Sequence, residues 1–312
     1  MKKGFTLIEL SIVLVIVGLI IGGVLVGRDL ISAAGVRAQI SQIEKYQSAV
    51  NTFRGKYGYL PGDIPDPTAQ QYGFLARVAG VGGGDGNGMI ECIGFVPGAL
   101  GLSKGETVVF WMDLSNARLI DGGFSLGSFT AYPPLTTGGG VNKYFPSAKL
   151  GAGNDVYVWS GGWTNGIDLT GSATSDEKNY FTVASVQGMN ASILGTNDGL
   201  TVSQAYNIDN KIDDGLPQFG RVTALLTIYN FGPVWAGGAY TYPPDYLGVS
   251  GNYTAAHDPT THGPVTAASA VATPSNPLSC YDNNNTAGAI ERYSISTNNG
   301  TGINCALSFQ FQ

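Results

Sequence analysis

The chain opens with a run that an ordinary globular core cannot place. Residues 5–27 are mostly apolar, and their one charged side chain is Glu9. From 10 to 27 there are 18 consecutive uncharged residues, close to the roughly 20 needed to cross a bilayer as a helix. A helix apolar on every side has to be surrounded by hydrocarbon or by other helices. A carboxylate in such a segment is costly and marks a functional position by default. The basic pair Lys2-Lys3 precedes the run and orients it with its N-terminus in the cytoplasm and the remainder outside.

The helical pattern does not stop where the apolar run does. Val36, Ile40, Ile43, Tyr46, Val50, Phe53 and Tyr57 recur at spacings of three and four, the signature of an amphipathic helix. Gln, Lys, Ser and Asn are expected on its other face. Gly58 and then Pro61-Gly62 supply the stop. We therefore expect one helix over 5–57, roughly 75 Å long at 1.5 Å per residue. Its 5–27 portion is transmembrane or filament core, and its 28–57 portion packs on a head. The stripe is too short and too aromatic for a coiled coil. A cleaved secretory signal is excluded by the length of the run and by the lack of a small-x-small site before Arg28-Asp29. A plain anchor accounts for the length but leaves Glu9 unexplained.

The stretch Lys3-Gly4-Phe5-Thr6-Leu7-Ile8-Glu9 resembles the cleavage and methylation motif of type IV prepilins and of type II secretion pseudopilins. The resemblance implies a leader of residues 1–4, cut after Gly4 by a prepilin peptidase. It implies Phe5 as the new N-terminus, N-methylated by the same enzyme, and Glu9 as the glutamate used in assembly. Cleavage would create a cation one helical turn from Glu9, and Glu9 itself suits the positive end of the helix dipole. In a filament the glutamate of one copy can meet the terminal amine of a neighbour, so that each charge in an apolar bundle has a partner. The implied partners are copies of itself or related pilins, the prepilin peptidase, an inner-membrane assembly platform, and the lipid bilayer before assembly. The implied location is the inner membrane, single-pass with a periplasmic head, and then an extracellular pilus or periplasmic pseudopilus. Many type IVa pilins carry a proline in the second half of the apolar segment; this chain has none before Pro61. Gly18, Gly22, Gly23 and Gly27 are expected to supply flexibility and close helix packing instead. Residues 53–63, with Tyr59-Leu60-Pro61-Gly62-Asp63, resemble the start of the head in pseudopilin-like proteins.

Residues 58–312 form the head. Only 12% of the chain is charged, about half the usual share, while 46 glycines point to many turns. With 43% hydrophobic residues, 16 Tyr and 13 Phe there is ample material for a core, which argues against disorder. The net charge of −6 makes nucleic acid an improbable partner. Ser103 and Glu106 read as a capping box before a helix carrying Phe110, Trp111, Leu114 and Ala117. Thr201 and Gln204 read as a second one, before Ala205, Ile208 and Ile212, with Gly215 as C-cap. Strands are expected over 156–159, 180–186, 221–229, 290–296 and 306–311, and Gly/Thr/Pro-rich loops over 136–140, 161–175 and 240–277. The fold class is α+β: a long N-terminal helix packed on an antiparallel β-sheet head with short helices, the ordinary pilin plan in outline. At about 255 residues the head is large for a major pilin.

Cys280 and Cys305 lie 25 positions apart near the C-terminus. In an oxidising compartment they would close a loop worth roughly 3–4 kcal/mol by chain entropy, leaving Cys92 over.

Two acidic groups invite a calcium reading, since calcium takes several oxygen ligands. One is Asp85 and Asn87 in a glycine turn, with Glu91 following; Met89 stands where an EF-hand would place its third ligand, and the bland reading is a tight loop. The other is Asp209, Asp213 and Asp214 at the end of the second short helix. A salt bridge to Lys211 or Arg221 is the plainer expectation there, because like charges at a helix C-terminus need compensation. No cofactor is required by this reading. No nucleophile elbow, P-loop, dinucleotide fingerprint or H-E-x-x-H is present in the sequence, and His257 and His262 stand in a polar loop, so an enzyme is not expected. The expected function is a structural pilin or pseudopilin. The alternative is a low-abundance tip subunit acting as an adhesin or ligand-binding module.

Overall fold

The computed structural model describes residues 6–93, 103–160, 178–189, 194–217, 219–228, 232–235, 280–282, 290, 292–296 and 300–312. Gly4, Phe5, His257, His262 and the loops expected over 161–175 and 240–277 lie outside the described residues.

Helix α1 (Leu7–Tyr57) runs unbroken for 51 residues, about 77 Å at 1.5 Å per residue. It ends at Gly58, whose left-handed backbone (φ 82°) lets its N–H reach the Arg54 carbonyl. The short α2 (Thr68–Gln71) follows, then α3 (Glu106–Asn116). Next come strand β1 (Thr136–Thr137), a 3₁₀ turn (Gly138–Lys143), β2 (Asn154–Ser160), β3 (Asn179–Met189), β4 (Leu194–Asn197) and β5 (Leu200–Thr201). Helix α4 (Val202–Ile212) precedes β6 (Val222–Ile228), β7 (Gly232–Trp235), β8 (Tyr281–Asp282), β9 (Arg292–Tyr293) and β10 (Ile303–Gln310).

The main sheet has eight strands, and each of its pairings is antiparallel. Its path is β1-β3-β10-β6-β7, with β2 and β4 also on β3 and β5 on β10. Strand β3 is the spine: Val156 pairs with its Val183 on one side, and Leu307 pairs with the same Val183 on the other. Because β2 and β3 are covered on both faces, they read as continuous rather than alternating apolar runs, and every β2 residue is buried. Strands β8 and β9 form a separate two-stranded sheet. It is tied to β10 by the Cys280–Cys305 disulfide, with Cα atoms 5.1 Å apart.

The core lies between α1, α3 and the sheet. Tyr46 of α1 meets Trp111 of α3 edge-on at 5.0 Å and Phe181 of β3 at 6.1 Å, within the range where aromatic pairs attract beyond their buried area. Phe181 in turn contacts Phe110 and Phe311. Helix α4 packs against α1 and β10.

Several expectations need correction. The second half of α1 is not polar on its whole second face: Gln39 and Gln42 are buried. Gln42 Oε1 accepts from the Lys149 N–H at 2.9 Å and its Nε2 donates to the Ser147 carbonyl at 2.9 Å, while Gln39 Oε1 accepts from the Leu150 N–H at 3.2 Å. The helix thus clamps the backbone of the 147–150 turn, whose groups need partners once buried. Ser103 is not an N-cap: α3 is entered through Gly105 (φ 95°) with no side-chain cap bond, because Glu106 turns into the head. The Thr201–Gln204 capping box does form, but α4 ends at Ile212 with Asp213 as its C-cap, and Gly215, with φ +73°, lies two residues beyond that cap. The expected loop over 136–140 is β1 and the 3₁₀ turn. Of the strand expected over 290–296, among the described residues only Arg292–Tyr293 pairs, outside the main sheet.

Candidate functional site

Helix α1 begins with a closed polar device. Thr6 is the N-cap, and its Oγ1 accepts the Glu9 N–H at 3.3 Å. Glu9 Oε2 accepts from the Thr6 N–H at 2.8 Å and from the Thr6 hydroxyl at 2.7 Å. The reciprocal bonds make a capping box. They hold the Glu9 carboxylate against Thr6, at the mouth of the helix. The T-x-x-E spacing of Thr6 and Glu9 is the sequence signal for this cap.

Beyond the cap the helix is bare. From Leu7 to Ile31 its large apolar side chains are exposed, Leu7 at 86% and Ile31 at 74%. Nothing lies within 4 Å of where a Cβ would stand on Gly18, Gly22, Gly23 or Gly27. This span is long and apolar enough to cross a membrane. A continuous apolar surface of this size marks a membrane or interaction surface.

In the head, the loop over 82–92 wraps a group of carboxylates. Asp63 Oδ1 and Oδ2 accept the Gly86 and Gly88 N–H groups at 2.7 and 2.8 Å. Glu106 Oε1 and Oε2 accept the Gly84 and Glu91 N–H groups, each at 2.8 Å. Gly84 is demanded by fit as well as turn: it has φ +85°, and a Cβ there would stand 2.8 Å from the Arg77 Cδ. Burial raises these acids, with the neighbouring carboxylates adding to it: Asp63 to about 6, Glu91 to about 7, and Glu106 well above the usual range. Low dielectric disfavours the ionised form. Carboxylate oxygens of Asp63, Asp85 and Glu106 lie within 4.8 Å of one another, the donor type that calcium takes. Of the residues expected here, Asp85 joins this group. Asn87 is engaged elsewhere, its Oδ1 accepting the Met89 N–H at 2.7 Å and its Nδ2 donating to Glu91 at 2.8 Å. Asp63 and Glu106 went unread as members, because they stand 22 and 21 positions from Asp85 and only the fold unites them.

Asp209, Asp213 and Asp214 do come together, but the expected salt bridge is not what holds them. Asp209 is buried and accepts from the Tyr293 hydroxyl at 2.7 Å and the Gly215 N–H at 3.1 Å. Asp213 accepts the Arg221 and Val222 N–H groups, and Asp214 the Leu216 N–H at 2.8 Å. Arg221 thus contributes its backbone, and among the described residues neither ion pair involves these three acids. Burial pushes Asp209 up to about 7. Cys92 is outside any disulfide and makes an isolated bridge with Gly105.

Residues 1–25 match the prokaryotic N-terminal methylation motif. No curated protein and no solved structure matches the chain. The N-terminal segment is of the prepilin and pseudopilin type, and the α+β architecture with its long first helix and C-terminal disulfide is pilin-like.

Proposed function

We propose that this chain is a structural subunit of a type IV filament system, a pilin or pseudopilin. A prepilin peptidase cuts it after Gly4 and methylates the Phe5 amine. The first half of α1 then holds it in the inner membrane, head outward, until it is assembled helix on helix. The observation that carries this is the continuity of α1: the methylation motif opens a helix whose first half is bare and apolar and whose second half is built into the head. Such a helix can leave lipid for a bundle of its copies without exposing its apolar side chains to water. Glu9 enters the bundle with Thr6 as its own partner and finds the Phe5 amine of a neighbour, which a buried carboxylate needs. The chain does no chemistry on a substrate in this role.

Mass spectrometry of the mature N-terminus tests the reading. The expected product begins at a methylated Phe5. A chain retaining residues 1–4, or cut elsewhere, would overturn it.

A further inference from the structure

The turn that carries Asn87 and Gly88 has a chemical property separate from assembly. An asparagine followed by glycine can cyclise: the glycine nitrogen attacks the side-chain amide carbon, and ammonia leaves. Three groups sit on the three atoms that this reaction changes. The nucleophile, the Gly88 nitrogen, gives its hydrogen to Asp63 Oδ2 at 2.8 Å. The oxygen that would gather negative charge, Asn87 Oδ1, already receives the Met89 N–H at 2.7 Å. The leaving nitrogen, Asn87 Nδ2, is 2.8 Å from Glu91 Oε2. We propose that Asn87-Gly88 is a self-modifying site, at which these neighbours promote closure of the side chain on the backbone and its conversion to a carboxylate.

The step balances within the chain and water. Asp63 accepts the Gly88 proton as the nitrogen forms its bond to Asn87 Cγ. The Met89 N–H steadies the oxyanion, as donors aimed at developing charge do. Glu91 Oε2 accepts from Nδ2 before the attack; once Cγ is tetrahedral, Nδ2 is an amine that takes a proton from the protonated Glu91 carboxyl, the Cγ–Nδ2 bond breaks, and ammonia departs. Water then opens the five-membered imide at either carbonyl, leaving a normal or a β-linked acid at position 87 and restoring the Gly88 N–H. Asn87 is exposed, so water reaches it.

The division of labour between the acids follows from their positions. Asp63 Oδ2 already holds the hydrogen of the attacking Gly88 nitrogen, and Glu91 Oε2 stands at the leaving nitrogen. The turn is favourable too. The bond from Met89 N–H to Oδ1 is an Asx turn, which ties the side-chain amide to the backbone on the far side of the Gly88 nitrogen. Holding reactants together replaces an encounter with a ring closure. Gly88 has φ +87° and only Gln312 Nε2, at 3.7 Å, near its vacant Cβ position. The product would lose the amide donor to Glu91 and add a negative charge beside Asp85.

The test is the rate of amide-to-acid conversion at position 87, followed by peptide mass mapping of the full chain held at neutral pH, folded and in urea. The folded chain is expected to convert at least about tenfold faster than the unfolded one, a modest share of what positioned acid and base groups supply. Asp63→Asn and Glu91→Gln should each bring the folded rate down towards the unfolded one and leave the unfolded rate unchanged. A folded rate equal to or below the unfolded rate would mean that the three bonds protect the amide, and would overturn the proposal. That comparison needs no variant, so a substitution that prevents folding leaves it decisive.

Discussion

The two halves of α1 share one backbone and obey opposite rules. Over residues 7–27 the side chains are apolar on all sides apart from Glu9 and Ser11, and the large ones are exposed. From Val36 to Phe53 only a stripe is apolar, it is buried, and two glutamines inside it bind the 147–150 turn. The second half is finished by its own chain. The first half is finished only by something outside it, lipid or further copies. On the proposed function, fold stability resides in one half and assembly in the other, and the two should be separable by experiment.

The largest separation is expected from Glu9→Val. It should leave membrane insertion and the melting of the head unchanged while abolishing incorporation into filaments, measured by co-sedimentation of sheared filaments. Normal incorporation would remove Glu9 from the assembly role. The opposite outcome is expected from Phe53→Ala, a fully buried ring against Tyr57 and Phe74. It should cost the head about 3–5 kcal/mol in urea unfolding with processing at Gly4 intact. Gln42→Leu probes the boundary between the halves. It strands the Ser147 carbonyl and the Lys149 N–H, and should cost on the order of 1–3 kcal/mol; a neutral result would show that the clamp is dispensable. Thr201→Ala, which removes a formed capping box far from α1's bare half, should cost about 1 kcal/mol and leave assembly untouched.

Proton linkage is a milder probe that acts on the head alone. Asp63, Glu91, Asp155 and Asp209 are raised in the folded head to between about 6 and about 7, against about 4 when unfolded. Between those limits the folded state binds more protons than the unfolded one, so stability falls as pH rises through that window. It is fully present below about 4 and lost above about 7. The urea midpoint of the head is therefore expected to be higher at pH 5 than at pH 8; a lower one would show that the cluster is held ionised by something else.

The helix and much of the central sheet were legible because their signals are local. The apolar spacing through Tyr57, the stop at Gly58, the runs that became β2, β3, β6 and β10, and the Thr201–Gln204 box all lie within a few residues of what they specify. The failures share a cause. Glu106 has the right spacing from Ser103 for a cap, but two backbone N–H groups of the 82–92 loop compete for it and win. Gln39 and Gln42 look like surface residues until the 147–150 turn arrives from over 100 positions away. Asp63 and Glu106 joined Asp85 for the same reason, and the two-residue strands β1, β5, β8 and β9 carry too little pattern to be read. At the N-terminus, by contrast, the T-x-x-E signal was local and legible.

An unbroken α-helix is stiff in twist as well as in bending. The glutamine clamp and the aromatic stripe fix which side of α1 faces the head, and the intervening turns carry that azimuth down to Glu9 like a keyed shaft. Adding one residue between Ile31 and Val36 would rotate Glu9 by roughly 100° about the axis relative to the head, with no contact in either half altered. In the proposed filament, the head's own packing would thus set the angular phase at which each subunit presents its carboxylate to the next.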